Sequence, residues 1–156
     1  MAGVAGGSLA FETCRAGGLG FIAAGHLHNQ QSFEKLEREI KLFRDLSSKS
    51  SSSSASFSFP LGIGFIGFST FGKDSPGWDY FRRILEEHRP NSVQIFAPAV
   101  SKDLPSDLAA TFNTNVAMCQ SYGCQVVAQV GSVKGAIEAL EAGVDCLIAQ
   151  GTEAGG

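Results

Sequence analysis

The chain has 156 residues, 12 basic and 15 acidic, for a formal net charge of −3, with 44% hydrophobic and 17% charged residues. That balance excludes general disorder, the absence of a basic stripe argues against a nucleic-acid surface, and no apolar run reaches the roughly 18 residues of a membrane span. The opening Met1-Ala2-Gly3-Val4 lacks the cationic start of a secretory signal, so a soluble, cytoplasmic, glycine-rich globular chain is expected.

The first predicted helix is Ser8–Ala16, with Ser8 as N-cap and Gly17-Gly18 closing it. Residues 19–25 read as a buried strand, too short and apolar for a helix. Ser32–Leu46 is the clearest helix, because Phe33, Leu36, Ile40, Phe43 and Leu46 step by 3, 4, 3 and 3 along one face. Ser47–Ser58 is serine-rich without hydrophobic pattern and reads as a flexible surface insertion. Beyond it, Phe59–Phe68 is a strand, Pro76–Glu87 a helix holding Trp78, and residues 92–97 a strand. Ser106–Ser121 follows as a helix, Gln125–Val130 as a strand, Ser132–Ala142 as a helix closed by Gly143, and Val144–Ala149 as a last strand. Cys14, Cys119, Cys124 and Cys146 form no CxxC pair and lie at no metal-ligand spacing, so buried reduced thiols and no metal are expected.

Apolar strands that alternate with helices imply an α/β fold with a parallel sheet covered by helices. An open doubly wound sheet and a (β/α)8 barrel both satisfy this pattern.

Gly62-Ile63-Gly64-Phe65-Ile66-Gly67 matches GxGxxG literally. The dinucleotide motif needs a turn between a strand and a helix N-terminus. Here the intervening residues are strand formers, so a strand without side chains at alternate positions is expected, with something flat against its bare face. At the other end, Gln150 sets an amide at the carboxyl end of a strand, the side on which parallel α/β proteins bind ligands. The glycine-rich segment after it exposes backbone N–H groups.

Four blocks of the sequence carry a resemblance: Met1–Gly7, Ala16–Gly25, Leu61–Phe65 and Val144–Gly156. In order and spacing the chain resembles the FMN-dependent nitronate monooxygenases (2-nitropropane dioxygenases), and more distantly the FMN-containing enoyl reductases. The resemblance implies a parallel (β/α)8 TIM-barrel type of fold with FMN across the carboxyl ends of its strands. It also implies a flavoprotein oxidoreductase that oxidises alkyl nitronates with dioxygen. Met1, Ala2 and Gly3 match the end of the first barrel strand beside the flavin. Gly64 stands where many members have a flavin-contacting Asn, leaving only backbone contact. Gln150 matches the flavin-contacting Gln, and Gly155 and Gly156 match the loop whose backbone touches FMN.

The resemblance covers an amino-terminal portion, residues 1–156 forming one partial FMN-binding barrel of about five to six of its eight strands, with the serine-rich insertion at 47–58. The family's catalytic His follows the position matched by Gly156, and the segments holding the FMN phosphate come later still. Weak FMN binding by this chain alone is therefore expected, and the unpaired barrel edges invite self-association. A non-catalytic remnant and an enoyl reductase are the alternatives. His26 and His28, after a strand on the ligand-binding side, read as loop residues, and His88 as a cation at a helix C-terminus. No nucleophilic triad or carboxylate pair stands out.

Overall fold

The structure, a computed structural model, describes residues 5–25, 27–50, 59–66, 75–96 and 106–151. Helices and strands alternate as α1 (Gly7–Arg15), β1 (Gly20–Gly25), α2 (Gln30–Ser50), β2 (Leu61–Ile66) and α3 (Pro76–His88). They continue as β3 (Ser92–Phe96), α4 (Ser106–Ser121), β4 (Gln125–Val130), α5 (Val133–Glu141) and β5 (Cys146–Ala149). The five strands form one parallel sheet in the spatial order β1-β2-β3-β4-β5. A doubly wound sheet reverses its strand order at a switch point. Here the order never reverses, which resolves the two architectures in favour of an incomplete TIM-barrel-type arc.

Side chains alternate across each strand, so the parallel register sorts them onto two faces. One face carries Ile22, Ile63, Phe65, Val93, Ile95, Val126 and Ala128, all buried with Phe33 and Ile40 of α2, Phe81 and Ile84 of α3, and Val116 of α4 in a single core. Phe65 meets Phe81 edge-on, ring centroids 5.0 Å apart, an arrangement favoured by the ring quadrupole. The other face carries Phe21, Ala23, Gly62, Gly64, Gln94 and Gln129.

Close backbone approach seats the first helix. A Cβ on Gly20 would fall on the Ala10 carbonyl of α1, and one on Gly7 would fall on the Glu39 carbonyl of α2. Cys14 completes the junction: its sulfur accepts the Gly20 N–H at 3.2 Å and its thiol donates to the Pro60 carbonyl at 3.2 Å. At the amino ends of the strands two side chains act alike. Asn91, just before β3, accepts the Leu61 N–H through Oδ1 at 3.0 Å, and Asp145, just before β5, accepts the Val126 N–H through Oδ2 at 2.7 Å. Each clamps the first residues of the preceding strand, where a ladder partner is missing.

Several sequence expectations need correction. Helix α1 begins at Gly7, and Gly6 precedes it without a side-chain cap, so Ser8 lies inside the helix; Gly17 closes it at φ 90°, as expected. Helix α2 begins earlier than Ser32 because Asn29 Oδ1 accepts the Ser32 N–H at 2.9 Å while Ser32 Oγ accepts the Asn29 N–H at 3.2 Å. It also runs on through Ser50, into the segment expected to be a flexible insertion. There Ser47 is buried and its hydroxyl donates to the Phe43 carbonyl one turn back at 2.8 Å, which replaces the missing apolar contact. Residues 51–58 lie outside the described residues. Strand β2 starts at Leu61 rather than Phe59, and Phe59 instead packs edge-on against Phe11. Strand β5 starts at Cys146, and Asp145 before it is the clamp just described. Ser132 is the cap of α5 rather than its first residue, its Oγ accepting the Gly135 N–H. Cys146 is exposed, not buried: it sits on the sheet's edge strand, on the face opposite the helices.

Three substitutions test this packing. Gly20→Ala forces backbone against backbone and is expected to lower stability by about 2–3 kcal/mol in urea unfolding, whereas Gly131→Ala, with open space around it, changes it by less than about 0.5 kcal/mol. Asp145→Ala orphans the Val126 N–H and is expected to cost about 1–3 kcal/mol by the same measurement.

Candidate functional site

The face opposite the helices, toward the carboxyl ends of the strands, collects the polar residues of the sheet. Gly64 of β2 lies opposite Gln94 of β3, Gln94 opposite Val127 of β4, and Gln129 of β4 opposite Ile148 of β5. Two-residue steps thus carry a diagonal from Gly64 through Gln94 and Gln129 to Gln150, just past β5. The three glutamines are joined head to tail. Gln94 Nε2 donates to Gln129 Oε1 at 2.6 Å, and Gln129 Nε2 donates to Gln150 Oε1 at 2.6 Å. At the end of the row Gln150 Nε2 is buried with no partner among the described residues. A buried amide donor without an acceptor is costly, so this nitrogen is available to a partner that the described residues do not provide. The Gln150 backbone N–H is held separately, by the Val130 carbonyl at 2.9 Å.

The two glycines of β2 differ. A Cβ on Gly62 would lie 2.5 Å from the ring of Phe21, so the flat group against Gly62 is the chain's own aromatic side chain. Among the described residues a Cβ on Gly64 would meet nothing nearer than Gln94 Oε1 at 3.7 Å, so those residues leave the space above Gly64 open. The expectation of a flat partner is therefore met internally at Gly62 and leaves a bare backbone shelf at Gly64. Among the described residues of this face there is no carboxylate, imidazole or amine. A face of amides, glycine backbone and apolar side chains suits an uncharged planar ring with polar edges.

Of the residues expected to contact a cofactor, Gly64 and Gln150 share this face and are linked by the glutamine row. Met1, Ala2, Gly3, Gly155 and Gly156 lie outside the described residues, as does His26. The chain just after Met1–Val4 does reach the sheet: Ala23 of β1 donates its N–H to the Ala5 carbonyl at 2.8 Å. Gln94 and Gln129 were not singled out from sequence, although each is an amide in an otherwise apolar strand, the signal that would have found them. His28 is exposed at the start of α2, its backbone N–H directed at Ser32 Oγ at 3.3 Å.

His88 departs from the expected cation. Burial, with the Arg44 guanidinium close by, lowers its pKa from 6.5, outweighing Glu37 and Glu87. Its Nε2 lies 3.7 Å from Glu37 Oε1, beyond hydrogen-bonding distance. Glu37 of α2 and Glu87 and His88 at the carboxyl end of α3 bring one ligand atom each within 4.8 Å of one another, but they lie on the helix side of the sheet, away from the glutamine row. Cys119 and Cys124 have their thiols raised by burial, Cys124 to about 11, and are inert at neutral pH.

The fold defines a partial barrel of the class whose sites lie at the carboxyl ends of the parallel strands, the side on which this amide-lined face sits. The comparisons agree with the resemblance read from the sequence. The chain is 31% identical over 98% of its length to a nitronate monooxygenase from Neurospora crassa, of which it spans 41%. In fold it is similar to a nitroalkane oxidase from Streptomyces ansochromogenes (TM-score 0.68, 22% identity, covering 98% of this chain and 45% of that one). It is equally similar to FabK from Thermotoga maritima (TM-score 0.70, 22% identity, 98% and 39%). No family model matches. In sequence and in fold the chain thus resembles part of a nitronate monooxygenase-like barrel, and it spans less than half the length of the relatives it matches. Among the described residues no helix is long and apolar enough to cross a membrane.

The His88 geometry sets a pH dependence. A base whose folded pKa is lowered binds fewer protons in the native state than in the unfolded one, so its contribution to stability is intact above about pH 6.5 and is lost as pH falls below it. Urea unfolding followed from pH 7.5 down to pH 5 is expected to show this loss, and His88→Gln to flatten it.

Proposed function

We propose that this chain forms the ring-binding half of an FMN-dependent oxidoreductase that oxidises alkyl nitronates with dioxygen. The observation that carries the reading is the orphaned Gln150 donor at the end of an amide row that starts beside the open shelf at Gly64. Two features fit a flavin: bare backbone where a flat ring can approach, and a buried donor for one of its ring heteroatoms. The 31% identity to a nitronate monooxygenase supports the nitronate as substrate.

In this reading Gly64 gives van der Waals contact to the ring through its backbone and Gln150 donates to the ring's polar edge. Gly155, Gly156 and the Met1-Ala2-Gly3 segment complete the contacts. FMN, when bound, would supply the electron acceptor for the nitronate, with dioxygen as the final oxidant. The protein's own share is to orient the ring and keep charge away from its face. The proton-transfer base and the phosphate anchor belong to the part of the barrel after these residues, as the resemblance implies.

Flavin fluorescence quenching tests this directly. The chain is expected to bind FMN weakly but saturably, with riboflavin within about threefold because the phosphate adds little here. Gly64→Leu, which fills the shelf, should weaken binding roughly tenfold or more. Joined to the portion of the Neurospora relative that follows the matched segment, the chain should consume dioxygen with the 2-nitropropane anion. Turnover of NAD(P)H with an enoyl thioester and none with the nitronate would instead favour a reductase. No saturable flavin binding by either protein would overturn the proposal.

A further inference from the structure

We infer that Gln94 and Gln129 are positioning residues that hold the Gln150 amide with its nitrogen toward the ligand. The site then selects a ligand that presents a lone pair, a ring carbonyl oxygen or unprotonated ring nitrogen, at that end. The inference rests on the proposed flavin reading for the ligand's identity but on the amide row alone for the polarity.

A lone glutamine at a strand end can turn its amide over at little cost, because oxygen and nitrogen occupy nearly the same space. Gln150 cannot do so alone. Its Oε1 already accepts from Gln129 Nε2, and Gln129 Oε1 already accepts from Gln94 Nε2, both at 2.6 Å. Turning Gln150 over would set its NH2 against the NH2 of Gln129, so Gln129 would have to turn as well, and then Gln94. The three amides reverse together or not at all, and aligned amide dipoles reinforce one another in a partly buried setting. In the structure the row runs donor-outward, leaving Gln150 Nε2 as the single unmatched atom of the row's outer end. Gln94 and Gln129 therefore need not touch the ligand to decide what Gln150 offers it.

Gln129→Glu and Gln129→Leu separate the possibilities. A carboxylate at 129 accepts from both neighbours, so it keeps the link to Gln94 but draws the Gln150 nitrogen inward and turns its oxygen toward the ligand. Leucine removes both links and leaves the Gln150 amide free to rotate. The first measurement uses the 156-residue chain without ligand, its glutamine side chains labelled with nitrogen-15 and Gln150 assigned through Gln150→Ala. The wild-type Gln129 and Gln150 amides are expected to be slow to exchange with water and to have distinct shifts. Gln129→Leu should bring Gln150 to the shift and exchange rate of a free amide, and Gln129→Glu should instead protect its NH2. The second is FMN titration. Affinity should fall about three- to tenfold in Gln129→Leu, further in Gln129→Glu, and measurably in Gln94→Leu, which leaves the Gln129–Gln150 link in place. Unchanged Gln150 amide signals in Gln129→Leu would overturn the inference, as would tighter FMN binding by Gln129→Glu than by Gln129→Leu. If the wild-type chain takes up no flavin, the functional proposal falls, and the polarity of the row is decided by the ligand-free spectra.

Discussion

Everything in this fold depends on the strict alternation of side chains along five parallel strands held in register. The alternation sends Ile63, Phe65, Val93, Ile95, Val126 and Ala128 toward the helices, where they bury the apolar area that stabilises the sheet. The same constraint sends Gly62, Gly64, Gln94 and Gln129 to the other side, free of any duty in that core. A one-residue slip in any strand would exchange the two sets. The clamps from Asn91 and Asp145 act at the strand ends where such a slip would begin.

The two glycines of β2 show how similar sequence features acquire different roles from their surroundings. Both lack a side chain on the same face, yet Phe21 from the neighbouring strand fills the space over Gly62, whereas over Gly64 no described residue comes nearer than Gln94 Oε1 at 3.7 Å. The difference lies in β1: opposite Gly62 it places a large aromatic residue, and opposite Gly64 it places Ala23. A residue on one strand thus determines whether the glycine on the next is a packing device or a surface open to a ligand.

Much of the fold was legible in the sequence because its signals are local. The stepping of Phe33, Leu36, Ile40 and Phe43 marks α2, and the apolar runs mark all five strands in the right order. Where the reading failed, tertiary or reciprocal contacts decided. Ser47 and Ser50 are helical although composition favours a loop, because α2 keeps its hydrogen bonds and Ser47 finds a buried partner one turn back. Asn29 starts α2 through a two-way exchange with Ser32 that a one-residue capping rule does not capture. His88 is pushed toward neutrality by burial and by Arg44, which is distant in sequence. The candidate site was half legible. Gly64 and Gln150 stood out by motif and position, whereas Gln94 and Gln129 matter only because strand register brings three amides into line.

The ring of Phe21 across Gly62 has a consequence for how anything reaches this face. It covers the bare backbone of β2 on the amino-terminal side of Gly64. How far any group lying on Gly64 can extend toward the strand starts is then set by an aromatic residue on β1.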